Sequence, residues 1–110
     1  MGNRLYLTAS VFAAFGAVLH FAALPFGAPL SAGLLGGLIW AALAFGLFRE
    51  WRLAAYVTFL TSLFGISAAM TLAVGGPPGP VAWLFAAIVV VDVLIALTLI
   101  RLLWSAPARP

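Results

Sequence analysis

Long apolar runs, separated by short breaks rich in proline, glycine or charge, make up most of this chain. The runs cover residues 5–24, 30–48, 53–74 and 81–104. Each is close to the ~20 residues a helix needs to cross ~30 Å of hydrocarbon. The breaks have identifiable causes. "PFGAP" (25–29) and "GGPPGP" (75–80) stop helices, because proline lacks the N–H donor and its ring clashes with the preceding turn. "REW" (49–51) interrupts by charge. Transmembrane strands would be ~10 residues long and would alternate polar with apolar, and these runs do neither. Helices satisfy their own backbone groups, as lipid requires. The pattern therefore predicts an all-α, integral membrane four-helix bundle, a single domain over residues 1–110.

Composition strengthens this reading. The chain is 66% hydrophobic and 6% charged, with a mean hydropathy of +1.27. Soluble domains average about 25% charged residues. There is no cysteine, which removes disulfides, thiolate metal sites and cysteine nucleophiles. The net charge of +3 comes from five arginines against two acids. Those arginines form no basic stripe, so nucleic acid is not an expected partner.

Arginine also sets an expected orientation. Arg4 precedes the first run, Arg49 and Arg52 lie between the second and third, and Arg101 and Arg109 end the fourth. With four crossings all of them fall on one side, and the other two loops carry no charge. The positive-inside rule then places both termini in the cytoplasm of a multi-pass protein of a bacterial-type inner (plasma) membrane. Tyr6, Trp51 and Trp104 are expected as interfacial anchors on that side and Trp83 on the other; Trp40 falls too deep for that role. The first run is longer than the apolar core of a secretory signal and shows no small-x-small cleavage site, so it is read as a retained helix.

Sliding the chain by 49 residues places Phe15-Gly16 on Phe64-Gly65, and Gly27 and Pro29 on Gly76 and Pro78. Two tandem helical hairpins would produce this match, and so would the ease with which apolar sequences align. Small residues also form stripes. Ala9, Ala13, Gly16, His20 and Ala23 recur at alternating steps of four and three, as do Thr58, Ser62, Gly65 and Ala69. That spacing suits a left-handed crossing. Gly33, Gly37 and Ala41 form a row of four-residue steps, repeated by Ala82 and Ala86, which suits a close right-handed crossing. These rows are expected to pack the bundle internally, with an interface between copies through Gly33 and Gly37 as the alternative.

Two ionisable residues lie inside apolar runs. Asp92 is central in the fourth, where an aspartate costs about 2.5–3.5 kcal/mol to insert, so it is expected to face protein or water. Counting from the run boundaries puts Thr61 and Ser62 at similar depth and Thr58 slightly nearer the cytoplasm. One of these three is expected to hydrogen-bond Asp92. His20 shares the small-residue stripe of the first run and is expected to meet another helix. It differs from Asp92 in depth by ~9 Å at 1.5 Å per residue, too far for a direct pair without tilt or a bridging water. His20, Asp92, Thr58, Thr61 and Ser62 form the candidate intramembrane polar site. It is read either as a clamp fixing helix packing or as a proton- or cation-linked site.

Self-contained catalysis is not expected. The second acid, Glu50, sits at a run boundary, the single histidine cannot build an HExxH site, and no phosphate-binding glycine loop is present. His20 could serve as one axial haem ligand, but the sequence identifies no cofactor. With so little polar mass outside the bilayer, the expected role is a non-catalytic accessory or assembly subunit of a larger membrane complex. The alternative is a small homo-oligomeric transporter or channel using Asp92 and His20. Expected partners are the lipid bilayer and other membrane subunits or further copies of the chain.

Overall fold

The computed structural model describes residues 2–104, which contain no strand. Arg109, counted above among the orienting charges, lies outside the described residues. Four helices are long and apolar enough to cross a membrane. Helix α1 spans Gly2–Ala23, α2 Gly36–Phe48, α3 Arg52–Gly75 and α4 Pro80–Trp104. A π-helical stretch, Ser31–Leu35, runs directly into α2 and extends that second rod to Ser31–Phe48. The molecule is an elongated rod of 54 × 21 × 16 Å.

The helix ends follow from the turn residues. After Ala23 the chain tightens into a 3-10 turn, Leu24–Phe26, with Pro25 in its first residues. Gly27 takes a left-handed φ of 99°, and its N–H reaches the Leu24 carbonyl while the Ala28 N–H reaches that of Ala23. Paired bonds of this kind satisfy carbonyls that the ending helix leaves open. Between α2 and α3, Glu50 holds a left-handed φ of 59°, and the N–H groups of Glu50 and Trp51 bond back to Leu47 and Gly46. Proline opens α4, where a missing N–H costs nothing.

Helix α1 packs along both α2 and α4, and α3 packs along α4, while α2 and α3 touch only lightly. The side-by-side order is thus α2, α1, α4, α3. Each tandem hairpin is closely packed, and α1 with α4 joins them. The equivalent α2–α3 seam, which exact repetition would make as close, is loose. Arg4, Arg49, Arg52 and Arg101 share one end, where the Arg52 guanidinium donates to the Leu103 carbonyl at 3.5 Å. The proline-rich loops share the other.

All four helices bury heptad-spaced positions. In α1 the buried set includes Tyr6, Ala9, Ala13, Gly16, His20 and Ala23. In α3 it is Ala55, Thr58, Ser62 and Ala69, with Gly65 half-buried between them. In α4 the seam runs Phe85, Ile88, Asp92, Ile95, Leu99 and Leu103, with Val91 and Ala96 buried beside it. A 3.5-residue period keeps a seam facing its neighbour through a left-handed bundle.

Helix α2 departs from expectation. The second rod buries Gly33, Gly37, Trp40, Ala44, Gly46 and Leu47, and Ala41 is exposed. The four-residue row ends at Gly37, because beyond the π-helical turn the inward face advances by alternating threes and fours. Trp40, too deep for an interfacial anchor, therefore belongs to the core at 3% exposed. Tyr6, expected at the interface, is also buried in that core. Trp51, Trp83 and Trp104 are exposed near the helix ends. At the arginine end, Arg49 lies over the rings of Phe45 and Trp51 at 5.8 Å, and Arg52 over Tyr56 at 5.6 Å.

Gly33 and Gly37 are not available to a second copy of the chain. A side chain at Gly33 would collide with Leu24, and one at Gly37 would lie 2.5 Å from the Phe21 ring, so both glycines are covered by α1 and its extension. Ala82 and Ala86 are half-buried and line an apolar groove between α3 and α4 at the proline end. The core seam of α4 is built from larger residues instead.

Candidate functional site

The apolar core is in two parts. One, around Tyr6, Trp40, Leu47, Ile95 and Leu99, fills the arginine-end half. The other, around Ala23, Ala69, Phe85 and Ile88, fills the proline end. Asp92 falls between them on α4, one turn from Ile88 and one from Ile95. It is fully buried.

Neither carboxyl oxygen of Asp92 has a hydrogen-bond partner. The expected bond to Thr58, Thr61 or Ser62 is absent. A side chain built on Gly65 would meet Asp92 Oδ2 at 2.6 Å and Trp40 Cζ2 at 3.8 Å. Asp92 is therefore level with Gly65, about one turn beyond Thr61 and Ser62 on α3. Because α3 and α4 are antiparallel, Thr58 lies two turns of α3 from Gly65, ~10 Å away at 1.5 Å per residue. Ser62 donates instead to the Phe59 carbonyl of its own helix at 2.7 Å. The Thr58 hydroxyl is fully buried and has no partner. Counting from run boundaries misplaced the level, because the breaks do not fix how far one helix slides along another.

His20 bonds within its own helix as well. Its Nδ1 lies 2.7 Å from the Gly16 carbonyl. A carbonyl only accepts, so Nδ1 carries a proton and donates it to Gly16. The ring packs edge-on against Phe85, with centroids 6.0 Å apart. A side chain on Gly36 would meet His20 Cδ2 at 2.5 Å and Nε2 at 3.0 Å. His20 is thus level with Phe85, seven residues before Asp92 on α4. The axial separation of the two ionisable groups is ~10 Å at 1.5 Å per residue.

A cleft of about 260 Å³ lies between α2 and α3, bordered by His20 but not by Asp92. Its walls are the π-helical turn with α2 (Ser31, Gly36, Ile39, Trp40) and α3 (Thr61, Phe64, Gly65, Ala68), and its floor is His20 and Phe85. It exists because α2 and α3 do not close on each other. Of the expected polar site, His20 and Thr61 line it directly, and Asp92 stands behind Gly65. Thr58 and Ser62 do not line it. Sequence reasoning missed Gly36 and Trp40. The signal for Gly36 was the "LLGGL" stretch, where a second glycine breaks the four-residue row. It also missed a buried bond between helices, Ser10 Oγ to the Ala44 carbonyl at 2.8 Å.

A larger groove of about 560 Å³ at the proline end, lined by Ala82, Trp83, Ala86 and Met70, holds no side chain that titrates. Among the described residues no three His, Cys, Asp or Glu side chains converge to hold a metal ion. Comparison with protein-family models, with curated proteins and with solved structures gives no match.

Proposed function

We propose that this chain is a multi-pass protein of a bacterial-type inner membrane, with both termini cytoplasmic, acting as a non-catalytic subunit of a larger membrane assembly. The observation that carries the reading is the distribution of surface. The helix flanks expose large apolar side chains along their length, for example Leu60, Phe64, Val90 and Leu97, while the connections between helices are a few residues each. A soluble partner has little to hold, whereas another membrane subunit has a long apolar flank available. Extraction in a gentle detergent followed by native mass spectrometry tests this. Larger membrane partners are expected, and a discrete dimer of this chain with nothing else bound would sink it. Reporter fusions at each terminus check the orientation.

A second reading rests on Asp92. Buried carboxyls without partners mark ion and proton pathways in membranes, and a small homo-oligomeric transporter or channel using Asp92 and His20 accounts for one here. Flux of protons and monovalent cations into proteoliposomes, lost in Asp92→Asn, separates this reading from the first.

A further inference from the structure

We propose that the cleft between α2 and α3 is a binding site for a lipophilic phenol, its hydroxyl bonded to His20 Nε2 and its hydrocarbon tail in the bilayer. The inference concerns binding alone and is independent of whether the chain works inside an assembly or by itself.

The first support is the unused edge of His20. The ring lines the cleft floor, and the residue is 8% exposed. Among the described residues its one hydrogen bond runs from Nδ1 to the Gly16 carbonyl, so Nε2 is the ring nitrogen left for a ligand. Gly36, also a cleft residue, keeps that edge open. An ideal Cβ there would lie 3.0 Å from Nε2 and 2.5 Å from Cδ2, so a side chain at this position would cover the edge. Buried polar atoms in proteins normally find a partner, and the partner available to Nε2 is whatever occupies the cleft. One wall is the π-helical turn Ser31–Leu35, a conformation frequent at functional sites.

The chemistry of the lining selects the ligand. None of the cleft residues is an arginine or an acid, and a charge without a counter-ion is costly in an apolar site, so the ligand is neutral. A hydroxyl both donates and accepts, and it can bond Nε2 in either protonation state of the ring. Trp40, Phe64 and Phe85 border the cleft, and aromatic side chains pack favourably on another ring. The volume is adequate as well. A ~150 Å³ apolar cavity holds benzene, so about 260 Å³ takes a phenol ring. The rim residues Leu35, Ile39, Phe64 and Ala68 are exposed on the apolar flank, where a hydrocarbon tail continues into lipid. With a polar floor, aromatic walls and an apolar mouth, the cleft matches a phenol whose alkyl chain is para to its hydroxyl.

The test uses the full chain in lipid nanodiscs, with empty nanodiscs as the partitioning baseline. The probes are radiolabelled para-dodecylphenol and para-dodecyltoluene, in which a methyl group replaces the hydroxyl. Saturable binding of one phenol per chain is expected, with the toluene weaker by about tenfold, the loss of one hydrogen bond. His20→Phe keeps a ring against Phe85 and should bring the phenol down to the level of the toluene. Magnetic resonance reads the site itself. His20 is the only histidine in the chain, so labelling histidine with the heavy isotope of nitrogen gives the signals of one ring. Saturating phenol should shift the Nε2 signal more than the Nδ1 signal, and the toluene should shift Nε2 less. These readouts on the native protein decide the matter even if His20→Phe fails to fold. Three results would each overturn the proposal: no saturable phenol binding, equal binding of phenol and toluene, or an Nε2 signal that saturating phenol leaves in place.

Discussion

Gly65→Ala is the sharpest probe of the packing around Asp92. The new Cβ would sit 2.6 Å from Asp92 Oδ2, whereas ordinary contact begins at 3.4 Å. The carboxyl must withdraw by the difference between those two distances. It has little room to do so, since Trp40 Cζ2 is already 3.8 Å from the same point and Asp92 is fully enclosed. Overpacking of this kind costs about 1–3 kcal/mol. The cause is a single atom, which makes the cost separable. In an Asp92→Ala background Oδ2 is gone, and Gly65→Ala should cost less than about 0.5 kcal/mol. The double-mutant cycle should then show a coupling of roughly 1–2 kcal/mol, within the range for residues in contact. Unfolding free energies of the four proteins in mixed micelles, from reversible SDS titrations followed by far-UV circular dichroism, supply the numbers. Asp92→Ala alone also removes two unpartnered buried oxygens, but that effect cancels within the cycle. If Gly65→Ala proves equally costly in both backgrounds, Asp92 does not abut Gly65 and the packing of α3 on α4 at this level is wrong.

The glycines of the stripes should divide into two classes in the same assay. A side chain at Gly16 meets only Val91 Cγ1 at 3.7 Å, so Gly16→Ala should be neutral or stabilising by up to about 1 kcal/mol through helix propensity. Gly37→Ala drives a Cβ to 2.5 Å from the Phe21 ring and should cost about 1–3 kcal/mol; equal effects at the two positions would contradict the packing of α1 on α2. Ser10→Ala removes the bond to the Ala44 carbonyl and should cost about 0.6 kcal/mol, the average for bonds between helices in a bilayer. Thr58→Val keeps the shape and deletes a buried hydroxyl without a partner, so it should stabilise by about 1 kcal/mol; a loss of stability would show that the hydroxyl is bonded.

Much of the architecture is legible in the sequence because the bilayer constraint acts locally. Length and apolarity mark four helices, and proline, glycine and arginine mark their ends, whatever the helices later touch. The small-residue stripes of α1 and α3 are legible for a related reason. A run of Ala, Gly, Ser and Thr at heptad spacing has one face that differs from the rest, and Ala9, Ala13, Thr58 and Ser62 are all buried on it.

Tertiary structure decided the rest. The row from Gly33 to Ala41 reads as one stripe on an ideal helix, but a π-helical turn upstream and the fit of Trp40 into the core turn Ala41 outward. Composition gives no sign of that choice, because an apolar helix is soluble in lipid at any rotation and only packing against α1 selects one. The depth of Asp92 failed for a similar reason. The breaks set each helix's ends to within a turn, and one turn separates a hydroxyl at Ser62 from a gap at Gly65. His20 was expected to find a neighbouring helix, and its ring does pack on Phe85, but its N–H is satisfied by Gly16 four residues back. The cleft itself has no sequence signature, since it comes from the failure of α2 and α3 to close. By itself the sequence determined which segments are long and apolar enough to cross a membrane, through the hydropathy of each side chain. Which of them meet is a property of packing, and between apolar helices in an apolar solvent only shape and a few hydrogen bonds distinguish one arrangement from another.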